Sequence, residues 1–146
     1  MNTFRLLSFL TLLFFFHDAM GQQIADTTFT YTPLNPKYAP GKGSLVWIDE
    51  AHVNFHTLGD RYAPFGKVLQ QDGYRVGTNT QTFDLERLQS CRILVISNAL
   101  DSSNADNWNL PNPSAFSVDE IKAVNQWVKN GGRLLLIADH MPFAGA

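Results

Sequence analysis

Short apolar runs, separated by polar segments, organise most of this chain. Four such runs are typical of parallel strands buried on both faces, and they predict strands over residues 44–48, 74–77, 92–97 and 133–138. Between the runs, apolar residues at helical spacing predict helices over 63–71, around 83–88 and over 118–130. The last helix has the clearest start signal, because Ser117 and Glu120 form a capping box.

This order of elements predicts an α/β fold with a parallel sheet and right-handed crossovers. If the strand order is 2-1-3-4, the order reverses between the first and third strands. Ligands bind at this switch point in such sheets, beyond the carboxyl ends of the strands. No helix follows the fourth strand in the predicted order, so part of one of its faces would be bare. We therefore expect an α/β domain truncated after its fourth core strand.

The N-terminal region predicts export. Arg5 precedes an apolar run over residues 6–16, and Ala19 and Gly21 are the small residues of a cleavage site. The apolar run is too short to span a bilayer, so we expect a signal peptide over residues 1–21 and no stable membrane span after its removal. An extended Thr- and Pro-rich lead-in over residues 22–43 would then precede the domain of residues 44–146 in a periplasmic or secreted protein.

Composition narrows the possible partners. The chain is 45% hydrophobic and 16% charged, as expected for one globular domain. Its net charge of −2 and its lack of a Lys/Arg run give no basis for a nucleic-acid partner. The only cysteine, Cys91, excludes an intramolecular disulfide, and its position before the third strand favours a buried core role over a nucleophilic one.

Polar side chains gather at the carboxyl ends of the predicted strands. The stretch LVWIDEAHVNFH, residues 45–56, ends its apolar run in two acids and then places polar residues at alternate positions. Other polar residues end the third and fourth strands. Because the carboxyl ends of parallel strands lie at the same end of a sheet, these polar residues should line one crevice. The candidate catalytic residues are Asp49, Glu50, His52, Asp139 and His140, and the candidate ligand-binding residues are Asn54, His56, Asn98 and Trp108. Trp108 would act as a lid anchor or as a ligand platform.

The histidines suggest a metal site. His52 and His56 can approach one ion whether their segment is extended or helical. A third ligand from Asp139 or His140 would complete the open, three-ligand arrangement of a catalytic zinc. We therefore expect that a divalent metal such as zinc could bind at His52, His56 and His140.

Two other interpretations of the same residues remain open. Without a metal, Asp49 or Asp139 could orient His52 or His140 as a general base. Alternatively, these short polar side chains only brace loops, as Asp and Asn often do. A reactive Ser or Cys in a sharp turn after a strand is missing from the sequence.

The stretches LVWIDEAHVNFH, DGYRV, NALDSSNADNW and WVKNGGRLLLIADHMPFAGA resemble exported bacterial proteins of the DUF4350 type. That group is related to the class I glutamine amidotransferase-like superfamily, so the resemblance implies a flavodoxin-like, three-layer α/β fold that continues past Ala146. The turn after the fourth strand resembles the nucleophile turn of amidotransferases but has Asp139-His140-Met141-Pro142 in its place. The resemblance therefore implies no glutaminase activity.

We expect an exported domain with a polar His/Asp ligand site, acting as a metal-assisted hydrolase of a small or carbohydrate-like substrate. The alternative is a non-catalytic domain of the cell envelope that binds a small-molecule or carbohydrate ligand or serves as a scaffold.

Overall fold

The computed structural model of the protein describes residues 24–139 and residue 143. The strands are β1 (Leu45–Asp49), β2 (Arg75–Asn79), β3 (Ile93–Ser97) and β4 (Arg133–Ile137), and the helices are α1 (Ala63–Gln71), α2 (Leu85–Leu88) and α3 (Val118–Lys129), with a 3₁₀ turn at Ser102–Asn104. Each observed element lies within two residues of its predicted bounds. The capping box is also present, because the side chains of Ser117 and Glu120 each accept from the other's backbone N–H.

All four strands run parallel, in the order β2-β1-β3-β4. The predicted α/β class and strand order are thus confirmed, and the architecture is consistent with a flavodoxin-like fold. Leu45 pairs with Arg75 on one side, and Val46 pairs with Ile93 on the other. β1 is therefore the central strand that joins both halves of the sheet, and its carboxyl end lies at the switch point.

Helices cover both faces of the sheet, which gives three layers. On one face, Val46, Ile48 and Val95 pack against side chains that include Phe65 and Leu69 of α1. On the other face, the core that contains Leu94 and Ile96 packs against α2 and α3, and its largest helical side chain is Trp127, which is 4% exposed. Because buried apolar area is the main stabilising term, these two layers fix the strand ends that carry the site.

The edge strand β4 is only partly covered on each of its faces. Leu134 and Leu136 point toward the α3 side and Leu135 toward the α1 side, and their exposures are 37%, 54% and 44%. Partial exposure was expected on one face and is seen on both, while the expected truncation after the fourth strand stays a prediction. An apolar edge of this kind can pair with further strands.

The described part of the lead-in, residues 24–43, forms turns and bends with no strand or helix. The Lys67 ammonium of α1 donates to the carbonyl oxygens of Thr27 and Phe29, so the lead-in is attached to the domain. Across residues 24–139, no helix is long and apolar enough to cross a membrane.

Candidate ligand-binding site

Asp49 ends β1 and is fully buried, with 0% exposure. Its Oδ1 accepts hydrogen bonds from Asn79 of β2 (3.2 Å) and from the backbone of Ala51 (3.4 Å). Its Oδ2 accepts from Asn54 (3.0 Å) and from His52 (2.7 Å). A buried carboxylate needs such donors to replace water, so Asp49 organises the loop after β1 and does not face the crevice.

His52 is bonded to a carboxylate at each ring nitrogen. Its Nδ1 lies 2.7 Å from Asp49 Oδ2, and its Nε2 lies 2.8 Å from Glu120 Oε1. His52 is 6% exposed, and its ring packs beside the rings of Phe83 (4.7 Å) and Phe116 (4.8 Å), which also contact each other. The buried Asp49–His52–Glu120 network therefore ties β1 to the start of α3.

Glu120 has two roles that share one side chain. Its Oε2 accepts from the backbone and hydroxyl of Ser117, closing the capping box, and its Oε1 accepts from His52 and from the backbone of Phe83. Burial raises the pKa of Glu120, but the hydrogen bonds from Ser117, His52 and Phe83 outweigh burial and lower it to about 2. Glu120 is therefore ionised at neutral pH.

The charges of the network favour an imidazolium. Burial lowers the pKa of His52, but the hydrogen bonds and charges of Asp49 and Glu120 more than offset this, so its pKa lies above the usual value. A protonated ring can donate from both nitrogens at once. In this state His52 has no free lone pair, so it can neither accept a proton nor bind a metal. Asp49 does orient His52, as the metal-free hypothesis expects, but the nitrogen that would act as a base is bonded to Glu120.

A second group of side chains surrounds the ring of Phe55, beside the buried network. The Arg61 guanidinium carbon lies 4.3 Å from the Phe55 ring centroid, and the His56 ring lies 5.1 Å from it. The backbone N–H of Phe55 donates to the carbonyl oxygen of Asn98 at the end of β3. We call Phe55, His56, Arg61 and Asn98 the Phe55 cluster.

Three polar atoms of the Phe55 cluster are buried without a hydrogen-bond partner among the described residues: His56 Nδ1, Arg61 Nε and Asn98 Nδ2. A buried polar atom left unpaired costs about 1–3 kcal/mol, so Arg61 Nε and Asn98 Nδ2 mark places where an acceptor is expected, and His56 Nδ1 marks one for an acceptor or a donor, depending on its tautomer. Burial and then the charge of Arg61 lower the pKa of His56, which keeps this imidazole neutral at pH 7.

An aromatic surface adjoins the Phe55 cluster. The ring of Trp108 meets those of Phe55 (5.8 Å) and Phe143 (5.3 Å) edge to face, and the Trp108 side chain is 42% exposed. Both hypotheses for Trp108 fit this geometry, since an indole anchored by two rings and exposed on one side can hold a loop or stack on a ligand.

The backbone is strained at two points in this region. Val53 has φ of 46° and Asn98 has φ of 48°, which is the left-handed region. Asn tolerates this conformation, but a β-branched residue such as Val53 is strained by it. Neighbouring bonds hold the strain in place, because His52 donates its N–H to Asn54 Oδ1 and accepts from the N–H of Leu100. Strain of this kind is concentrated at functional sites.

The remaining predicted site residues divide into three cases. Glu50 accepts from the backbone N–H of Leu58 and so braces the loop, as the structural alternative expects. Asp139 is exposed, and its backbone N–H donates to Asn98 Oδ1 (3.4 Å), which joins the ends of β3 and β4. His140 lies outside the described residues, so its predicted catalytic and metal roles stay predictions.

The described geometry gives no support to a zinc site at His52. Both of its nitrogens are bonded to carboxylates, and within residues 24–139 no three His, Cys, Asp or Glu side chains are placed to hold an ion. A site that included His140 stays a prediction. Cys91 is buried, and burial raises its thiol pKa to about 11, which matches the predicted core role.

Comparisons of the chain with protein-family models, with curated proteins and with solved structures found no match. The resemblance to DUF4350-type proteins and to the amidotransferase-like superfamily therefore stays a prediction. The functional argument rests on the geometry alone.

Proposed function

We propose that this domain binds a small polar, carbohydrate-like ligand at the carboxyl edge of its sheet, without catalysing a reaction on it. The observation that carries the proposal is the Phe55 cluster, with three buried polar atoms that have no partner among the described residues. A ligand with several hydroxyl groups would supply acceptors for Arg61 Nε and Asn98 Nδ2, and a hydroxyl can donate to or accept from His56 Nδ1.

In this proposal the Asp49–His52–Glu120 network holds the site in place. Both nitrogens of His52 are occupied, which favours binding over acid–base chemistry at this residue. Trp108 serves as the platform, because sugar rings present apolar C–H faces that an exposed indole can cover. We also propose an exported location for the protein, in keeping with the signal sequence predicted over residues 1–21.

Tryptophan fluorescence can test the proposal. Glucose, N-acetylglucosamine and glucuronic acid are titrated separately into the purified protein. At least one should change the emission saturably, because Trp108 is 42% exposed at the proposed site, whereas Trp127 (4% exposed) and the half-buried Trp47 of β1 lie outside it. Trp108→Phe should remove the change. No saturable response to any of the three sugars would overturn the proposal.

A matched pair of variants tests the donors. Asn98→Asp keeps the Oδ1 acceptor and the tolerance for positive φ, but it replaces the unpaired Nδ2 donor with an oxygen. Affinity for the responding sugar should therefore fall about tenfold. Asp101→Asn makes the reverse exchange at an exposed cap, where Oδ1 still accepts from Ser103, and should leave affinity unchanged. Equal affinities in the two variants would contradict the assignment of Asn98.

A further inference from the structure

The end of the sheet at which the strands begin, opposite the Phe55 cluster, carries a row of arginines. Arg75 begins β2, Arg92 immediately precedes β3 and Arg133 begins β4. Backbone hydrogen bonds fix their spacing across the sheet: Arg75 N–H donates to Ser44, Arg92 N–H to Leu45 and Arg133 N–H to Arg92. The sheet ladder thus places three cations along one edge.

The strand register divides the three arginines between the two faces. Leu45 pairs with Arg75, and because Val46 pairs with Ile93, Leu45 is also level with Arg92. Arg75 and Arg92 therefore share the α3 side of the sheet, on either side of β1. Arg133 pairs with Ile93, so its side chain belongs to the opposite face.

Arg75 and Arg92 line a polar cavity of about 340 Å³. Its other lining residues include Ser90, Asn130 and Trp127. Such a volume is in the usual range of small-ligand sites. The two arginines reach it from backbones about 10 Å apart, which is twice the strand spacing.

Neither guanidinium has a carboxylate partner within the described part of the chain. Arg75 donates from Nε to the Gly43 carbonyl oxygen (3.2 Å), and no described bond uses its terminal nitrogens. The Arg92 guanidinium lies against Gly131, at the end of α3. The carboxyl end of that helix carries about half a negative charge, which two full positive charges outweigh.

We propose that this cavity is an anion site for phosphate, either free or as the monoester of a small molecule. Arginine donors approaching from two sides match the several equivalent oxygens of a phosphate group. The cavity lies at the opposite end of the strands from the Phe55 cluster, so this site is separate from the proposed sugar site. Ser90 and Asn130 supply further hydrogen bonds to the ester's organic part.

Titration calorimetry with the full chain at constant ionic strength tests the site. Inorganic phosphate and glycerol 3-phosphate serve as probes, and sodium chloride is the blank. Saturable binding of either probe supports the proposal. Tighter binding of glycerol 3-phosphate indicates an ester ligand, and equal binding indicates free phosphate. No saturable heat with either probe overturns the proposal.

Three arginine variants separate a built site from a general positive field. Arg75→Gln and Arg92→Gln should each weaken binding at least tenfold, whereas Arg133→Gln, the same charge change on the opposite face, should change it less than twofold. Equal losses in all three variants would mean a diffuse field and would overturn the proposal. Urea midpoints report whether each variant folds. Should Arg75→Gln unfold, Arg75→Lys keeps the charge without the forked donors and should still weaken binding.

Discussion

Replacing His52 with Ala should destabilise the protein strongly, because it removes the centre of the buried network. The substitution deletes two hydrogen bonds to carboxylates, of 2.7 and 2.8 Å. Each such bond contributes about 1.5–3 kcal/mol. The loss also leaves Asp49 (0% exposed) and Glu120 (7% exposed) as buried acids without their shared cation. Breaking a buried pair in this way costs about 3–5 kcal/mol.

Urea unfolding at pH 6, followed by fluorescence, measures this loss. With a urea dependence of about 2 kcal/mol/M, the midpoint should fall by about 2 M. A change of this size is a large fraction of the total stability of a typical domain, about 5–15 kcal/mol.

His56→Ala is the matched control, because it is the same exchange in the same loop. His56 has no described hydrogen bond at Nδ1, and its ring stacks on Tyr62 at 4.9 Å. Loss of its two ring contacts, with Tyr62 and with Phe55, should reduce stability by only about 1–2 kcal/mol. The reasoning is refuted if the two variants lose the same stability, or if His52→Ala loses less than about 1 kcal/mol.

Four further predictions follow from individual residues. The stability difference between wild type and His52→Gln should be largest between about pH 4.5 and 6.5, the ordinary pKa values of Glu120 and His52. It should shrink as pH rises through the raised pKa of His52, and again as pH falls toward about 2, where Glu120 is protonated; a flat difference from pH 3 to 9 would contradict the charge assignment. Cys91 should react with a thiol reagent at the rate of global unfolding, since its pKa is about 11 and it is 6% exposed, and rapid labelling of the native protein would argue against this burial. Val53→Gly should raise the free energy of unfolding by about 1 kcal/mol, because it relieves the strain at φ of 46°. The urea midpoint measures this gain, and Val53→Ala, which keeps the strain, is the control. Leu136→Lys should raise the concentration at which light scattering detects aggregates, because it charges the most exposed leucine of the β4 edge; an unchanged onset would mean that this edge does not drive association.

The fold could be predicted because its signals are local. Each strand is a short apolar run bounded by turn residues, and the capping box at Ser117 and Glu120 fixes where α3 begins. The strand order followed from the general preference of parallel sheets for short, right-handed crossovers.

The candidate site was predicted only in part, because its contacts join distant parts of the chain. The stretch after β1 indicated where polar groups gather, but Glu120 was recognised only as a capping residue. Its second partner, His52, lies 68 positions earlier in the chain. Asn79 was missed for the same reason, since spacing along a chain does not reveal which side chains meet across a sheet. Arg61 is only six positions from Phe55 and was missed because the fold of an irregular loop does not follow from a periodic pattern. The one available signal was that a carboxylate in a capping box has a second oxygen with capacity for further donors.

The central position of β1 affects how the protein is made. Of the described strands, β1 is synthesised first and both of its neighbours come later, since Leu45 pairs with Arg75 and Val46 pairs with Ile93. During synthesis this mostly apolar strand is therefore without a partner on either side, and non-local pairings of this kind form slowly. Folding should proceed outward from this strand once β3 is complete, so any cellular factor that protects the unfolded chain should act first on residues 45–49.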